Sequence, residues 1–169
     1  MLNVILKTYI NTEEANQHMK VKERRLFARG KRGLIYRAKL NGNDVVIKVK
    51  NPRSEAVCRI PNEGYYLELL NKYNIGPRLY YYNDEMVVMD YVEGTLIMDF
   101  ISAAKSAASI IKVLKDVLKQ CYILDSLSIN KYEMHHPVKH IIIRHNKAVL
   151  LDFERCRKTL KPKNVTQFC

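Results

Sequence analysis

No uncharged apolar run in the 169-residue chain approaches the roughly 18 residues that a membrane-crossing helix needs, so no segment reads as a span. There is no Cys-x-x-Cys pair, no secretory signal and no cleavage-site pattern; Cys58, Cys121, Cys156 and Cys169 stand far apart. Such spacing argues against a zinc site and points to reduced thiols in the cytoplasm. Carboxylates are few, with 17 Asp and Glu against 29 Lys and Arg, a net charge of +12. The excess is concentrated: eleven basic residues between Lys20 and Lys50 meet only Glu23 and Asp44. With Arg155, Arg157, Lys158, Lys161 and Lys163, this fits either an RNA or other polyanion surface or a solvated basic face.

What is present begins with a glycine pair. Gly30 and Gly33, flanking Lys31 and Arg32, lie between two short apolar runs, as in a turn whose backbone must pass close over phosphates. The next run, Leu34 to Leu40, alternates Leu34, Tyr36, Ala38 and Leu40 with Arg37 and Lys39, and it ends in Asn41-Gly42-Asn43, a hairpin signal. In the returning strand, Asp44 to Lys50, Val46 and Lys48 share a face opposite Val45, Ile47 and Val49. An apolar patch beside an ammonium suits a nucleotide, the base on Val46 and the phosphates on Lys48. The plain alternative is a partly exposed strand with a solvated lysine.

A helix is predicted from Ile60 to Tyr73, with Pro61 in its first turn. Glu63 shares a stripe with Leu67 and Leu70, and a carboxylate on the core side of a helix is costly unless paired. Lys48 is the natural partner; a glutamate held by the helix dipole is the alternative. A second, amphipathic helix is predicted from Ala104 to Asp125, with Ile110, Leu114, Val117, Leu118, Cys121 and Leu124 on one side. Ile141 to Arg144 and Lys147 to Leu151 read as strands around a His145-Asn146 turn, followed at once by Asp152-Phe153-Glu154.

Together these residues resemble the protein-kinase-like superfamily, most closely its small atypical branch of RIO kinases, the small kinase of the tRNA-modifying KEOPS complex and related archaeal serine/threonine kinases. The resemblance runs from about Arg25 to Cys169. It implies an α+β, two-lobed fold with a small antiparallel β-sheet N-lobe and a reduced, mainly helical C-lobe, binding ATP with Mg²⁺ or Mn²⁺. Within it Gly30 and Gly33 match a reduced glycine-rich loop, Val46-Ile47-Lys48 the lysine strand, and Glu63 the ion-pair glutamate. Ile75-Gly-Pro-Arg-Leu-Tyr80 resembles the segment after that helix. Met86 to Gly94 resembles the fifth strand and hinge, so that Met89, Asp90, Tyr91 and Val92 would meet adenine. Asp152 takes the place of the metal-binding aspartate, with Glu154 where that motif has glycine.

The catalytic loop departs from the family pattern. In Lys131-Tyr-Glu-Met-His-His-Pro-Val-Lys-His140, Glu133 matches the catalytic aspartate and His140 the metal-binding asparagine, two residues farther apart than the motif has them. Lys139 is a third candidate, able to meet a transferring phosphate, while His135 and His136 read as a solvated loop. Nothing after Asp152 resembles an activation segment, and Asn164-Val-Thr-Gln167 reads as a capping box close to the last residue. The expected organisation is therefore an N-terminal extension over 1–20, an N-lobe and hinge over 21–93, and a minimal or truncated C-lobe over 94–169.

The function expected on these grounds is that of an ATP-binding serine/threonine kinase or ATPase, linked by resemblance to ribosome or tRNA processing. Glu133, Lys48 and Asp152 would be catalytic, and Asp152 and His140 would hold the metal. A nucleotide-binding adaptor without turnover and a basic RNA-binding module are the alternatives.

Overall fold

A computed structural model of the chain describes residues 21–30, 33–51 and 59–169. The expected extension over 1–20, Lys31, Arg32 and Cys58 lie outside them. Asn41 and Gly42 have φ of +49° and +87°, the left-handed pair a two-residue hairpin demands. They join β2 (Gly33–Leu40) to β3 (Asn43–Lys50) in unbroken register, Leu40 against Asn43 and Gly33 against Lys50. With β1 (Val21–Arg29), β4 (Leu79–Tyr82) and β5 (Met86–Asp90) they form an antiparallel five-stranded sheet in the order β1-β2-β3-β5-β4. The alternation read from the sequence fixes its faces: Leu34, Tyr36, Ala38, Leu40, Val45 and Ile47 bury one side with Met86 and Val88. Val46 and Lys48 are thereby turned to the other.

Between β3 and β4 runs α1 (Ile60–Asn71), with Pro61 in its first turn. Its stripe of Glu63, Leu67 and Leu70 is buried. Asn71 shapes the exit, its side-chain amide donating to the carbonyls of Ile75 and Pro77 while its oxygen accepts from the Leu79 N–H. A methyl on Gly76, whose φ is +81°, would lie 2.9 Å from both Leu67 and Phe153. This turn therefore needs a residue without a side chain, where α1 meets the segment that follows β9.

After β5 the chain forms β6 (Thr95–Leu96), α2 (Ile97–Ala103) and α3 (Ala107–Ser126), then β7 (Ile129–Lys131), two single 3₁₀ turns, β8 (Ile141–Arg144), β9 (Lys147–Leu150), β10 (Cys156–Lys158) and α4 (Asn164–Phe168). Strands β6, β8 and β9 make one small sheet and β7 with β10 another. The main core joins α1 to this half through Leu67, Leu70, Val113, Val117, Leu124, Met134, Ile141 and Phe153. Full burial of an aliphatic side chain such as Leu124 contributes about 1.5–3 kcal/mol.

Two readings are corrected. The helix expected from Ala104 begins at Ala107, because Ala104 is extended and Ser106 caps the helix by accepting from the Ala108 N–H; Ile97–Ala103 is a separate helix. Asn164 is not a cap. It is the first residue of α4, wholly buried, and its side chain turns inward. Its oxygen accepts from the Lys131 N–H at 2.7 Å, and its amide donates to the Ile129 carbonyl at 2.6 Å and to Asp125 Oδ1 at 2.5 Å. Tertiary partners thus outcompete a local pattern that matches a cap. Asn164→Ala strands these buried groups and should destabilise the protein by about 2–3 kcal/mol. Urea unfolding checks this, and a loss below about 0.5 kcal/mol would mean that water replaces the amide.

Candidate functional site

Lys48 projects from β3 on the side away from the sheet core, opposite Ile35 on β2. Three carboxylates surround its ammonium: Glu63 Oε2 at 2.7 Å, Glu154 Oε2 at 3.2 Å and Asp152 Oδ1 at 3.3 Å. Glu63 is placed by the α1 stripe and is 1% exposed. Its Oε2 meets Lys48 as a charge contact without an aligned hydrogen bond, and its Oε1 accepts from the Phe153 N–H at 3.4 Å. The helix thereby grips both the lysine and the Asp-Phe-Glu segment.

Electrostatics sort the cluster. Burial disfavours the Lys48 charge, but Glu63, Asp152 and Glu154 together outweigh it and hold the ammonium above its ordinary range. Burial pushes Glu63 above the usual carboxylate range, with Lys48 opposing. Asp152 lies below its usual range: burial would raise it, yet Lys48, Lys131 and His140 prevail. His140 is lowered by burial first and Lys131 second, so its imidazole is neutral at pH 7.

Asp152 itself has φ of +63°, a left-handed conformation that costs a non-glycine residue about 1 kcal/mol or more. Fixed neighbours hold it there. The Leu151 N–H donates to the His140 carbonyl, Phe153 is fully buried, and Asn62 donates to the carbonyls of Glu154 at 2.9 Å and Cys156 at 3.0 Å. With the backbone pinned on both sides, the Glu154 side chain turns back toward Lys48.

Lys131, at the end of β7, opens the loop that departs from the family pattern. It is wholly buried. Its ammonium bonds Glu133 Oε2 at 3.1 Å and the Asp152 carbonyl, and it stands 4.9 Å from the Phe153 ring centroid. It ties the catalytic-loop candidate to the Asp-Phe-Glu turn. Glu133 is 5% exposed; its Oε1 has Arg155 Nε at 3.9 Å and no hydrogen-bond partner. Arg155 in turn covers the Tyr132 ring at 3.5 Å. The contacts of Lys131, Asn62 and Arg155 with this centre are not legible in the sequence, where Arg155 reads only as part of a basic set, because their main partners lie on other elements; the local signal is a lysine ending an apolar strand.

The other predicted residues are distributed around this centre. The Gly30 N–H donates to the Gly33 carbonyl at 2.8 Å, closing the glycine turn. A methyl on Gly33 would lie 3.0 Å from the Val49 carbonyl, so the backbone of β3 leaves little room for a side chain there, while Lys48 Cγ at 3.7 Å is at ordinary contact distance. Met89 pairs with Val46 across β3 and β5. Asp90 is committed elsewhere, its carboxylate accepting from the Tyr80 hydroxyl at 2.7 Å. Tyr91, which precedes Val92, donates its N–H to the Asp44 carbonyl and carries Arg37 at 3.9 Å over its ring, with the Phe27 edge 5.9 Å away.

His140 Nδ1 lies 3.7 Å from Asp152 Oδ2. The tighter group is formed by oxygens of Glu63, Asp152 and Glu154, all within 4.8 Å of one another. An all-oxygen set carrying more negative charge than one ammonium balances fits a hard divalent cation, and Asp152 is its most accessible member, its side chain 31% exposed against 1% for Glu63 and 9% for Glu154.

No family model matches the sequence, and no curated protein matches it. Among solved structures the chain is similar to the autoinhibited serine kinase domain of the giant muscle protein titin, with a TM-score of 0.66 at 16% sequence identity. The match covers 84% of this chain and 46% of the titin domain, so the chain spans about half the length of that structure. The fold is therefore protein-kinase-like.

Proposed function

We propose that this chain binds ATP with Mg²⁺ or Mn²⁺ beside Lys48 and acts as a phosphotransferase or ATPase. The observation that carries the reading is the convergence on one ammonium of carboxylates from α1 and from the Asp-Phe-Glu turn. Lys48 meets the phosphates, and Glu63 fixes its direction. The Gly30 to Gly33 turn lies over the phosphates, while adenine occupies the face of Val46 against Met89, Asp90, Tyr91 and Val92. Asp152 would hold the cation with Glu154, and His140 stands beside them as a neutral donor. The cation's part is to offset phosphate charge. Glu133 accepts a hydrogen bond from the acceptor hydroxyl or water through its free Oε1, with Lys131 fixing the carboxylate from behind.

A nucleotide-binding adaptor without turnover is the second reading. What favours it is the engagement of Glu133 by Lys131, with Arg155 nearby, which gives this carboxylate partners within the protein itself.

Calorimetric titration with ATP and Mg²⁺ followed by radiolabelled-ATP turnover tests both. Asp152→Asn should remove the Mg²⁺-dependent gain in ATP affinity, about tenfold, and lower the melting temperature modestly at neutral pH while the protein stays folded under the titration conditions. An unchanged metal dependence would sink the assignment of Asp152.

A further inference from the structure

Beside Glu133 lies a surface that the nucleotide reading leaves unused. Tyr132 is 45% exposed. Arg155 sits 3.5 Å above its ring, His135 follows at 6.4 Å and His136 at 4.5 Å from His135, centroid to centroid. His135 and His136 are both exposed. Successive rings are tilted by 54° and 56°, so the array is a flight of separate π-faces rather than one slab. The 3₁₀ turn from Tyr132 to His135 places these rings on adjacent positions, with its one inward carboxylate, Glu133, locked beneath them by Lys131.

The segment that carries the array is rich in cations. From Tyr132 to the last residue there are eight Lys and Arg against three carboxylates. Those three are Glu133, Asp152 and Glu154, each already in an ion pair with a buried or half-buried lysine. Lys139, four residues after His135, and Arg157, which pairs with Asn130 across β10 and β7, are exposed. Ring faces for stacking, cations for a backbone and no uncommitted carboxylate form the combination that binds single-stranded nucleic acid. An acidic or phosphorylated peptide would use the cations and leave the ring faces idle.

We infer that Tyr132, His135, His136 and Arg155 form a docking platform for single-stranded RNA next to the acceptor side of Glu133. The inference builds on the proposed phosphotransfer site, because it says what is presented there. It is measured without nucleotide, so its failure leaves the ATP titration untouched, and failure of ATP binding leaves the RNA measurement intact.

The test is fluorescence anisotropy of the full chain with a short, fluorescein-labelled, mixed-sequence single-stranded RNA at low and high KCl. Affinity should fall as salt rises, reporting phosphate contacts. Tyr132→Ala and the paired His135→Ala/His136→Ala change should each weaken binding by about tenfold with the salt slope unchanged, as loss of stacking does. Arg155→Ala should reduce both affinity and slope, while Lys50→Ala, an exposed cation of β3, should change affinity by less than about twofold. A measurement on the unaltered protein removes any dependence on variant folding: 4-thiouridine RNA cross-linked by near-ultraviolet light should attach within Tyr132 to His136. The platform is overturned if RNA fails to bind at low salt, if all the substitutions act alike, if the cross-link maps elsewhere, or if an acidic phosphopeptide binds these residues and RNA does not.

Discussion

Lys48→Met is expected to abolish ATP-dependent turnover and to weaken ATP binding by about 10²-fold, the equivalent of one charge-assisted contact to phosphate, while Lys50→Ala changes affinity by less than about twofold. The two lysines lie two positions apart on the same face of β3, yet Lys48 is the one surrounded by the three carboxylates, while Lys50 is exposed at the end of the strand. Removing the ammonium also leaves Glu63, Asp152 and Glu154 facing one another with their oxygens within 4.8 Å. Loss of one partner from a buried ion pair costs about 3–5 kcal/mol, so the variant should melt well below the unaltered protein at neutral pH.

The pH dependence of that loss has a definite sign. Burial already holds Glu63 above the usual carboxylate range, and without Lys48 it rises further. A carboxyl whose folded pKa exceeds its unfolded value binds its proton more tightly when folded. Its stabilising effect is present at low pH and disappears as pH climbs through the raised pKa. The melting temperature of Lys48→Met should therefore increase as pH drops from neutrality toward about 5. Asp152 in the unaltered protein behaves oppositely: its depressed pKa gives stability above the unfolded value of about 4, lost on further acidification. Thermal scans across pH separate the two, and equal effects of Lys48→Met and Lys50→Ala on ATP binding would mean that the wrong lysine has been assigned.

Much of this centre was legible because local chemistry and remote geometry agree there. Asn41-Gly42 and His145-Asn146 adopt the left-handed pairs that their composition announces, and each closes a hairpin in register. Glu63 on an apolar stripe was a contradiction inside its own helix, and that contradiction called for a cation. Lys131 posed no such contradiction. A lysine at the end of a short strand is ordinary on a surface, and nothing within a few residues shows that Asp152, from a different hairpin, will present its carbonyl to it. Asn164 misled for a related reason: Asn-x-x-Gln satisfies the capping pattern, while Asp125, Ile129 and Lys131, which take its side chain, lie more than thirty positions away. Glu154 stands where the family has glycine, but its direction depends on Asn62, remote in sequence, holding the carbonyls of Glu154 and Cys156.

The second large effect is expected at the Lys131–Glu133 pair. Glu133→Gln keeps the shape and removes the charge, so ATP affinity should stay nearly unchanged while turnover falls by roughly 10² or more, the range for a lost general base. Lys131→Met strands a buried carboxylate and should cost about 3–5 kcal/mol of stability, whereas the double variant Lys131→Met/Glu133→Gln should recover a large part of it, because no unpaired charge remains. Turnover should not recover in the double variant. Recovery of both would show that Glu133 serves folding alone; a fall in ATP affinity as steep as the fall in turnover would place Glu133 at the nucleotide instead of the acceptor.

The stretch from Asp152 to Asn164 is short, contains β10 against β7, and is clasped by Asn62 at one end and by the Asp125 and Lys131 contacts of Asn164 at the other. A gate needs a length of chain with two resting arrangements of similar free energy, and this stretch is secured at both ends in one. Under the proposed activity this stretch offers no latch of that kind to release, and a progress curve started by mixing nucleotide and acceptor is expected to begin without a lag that its rearrangement would cause.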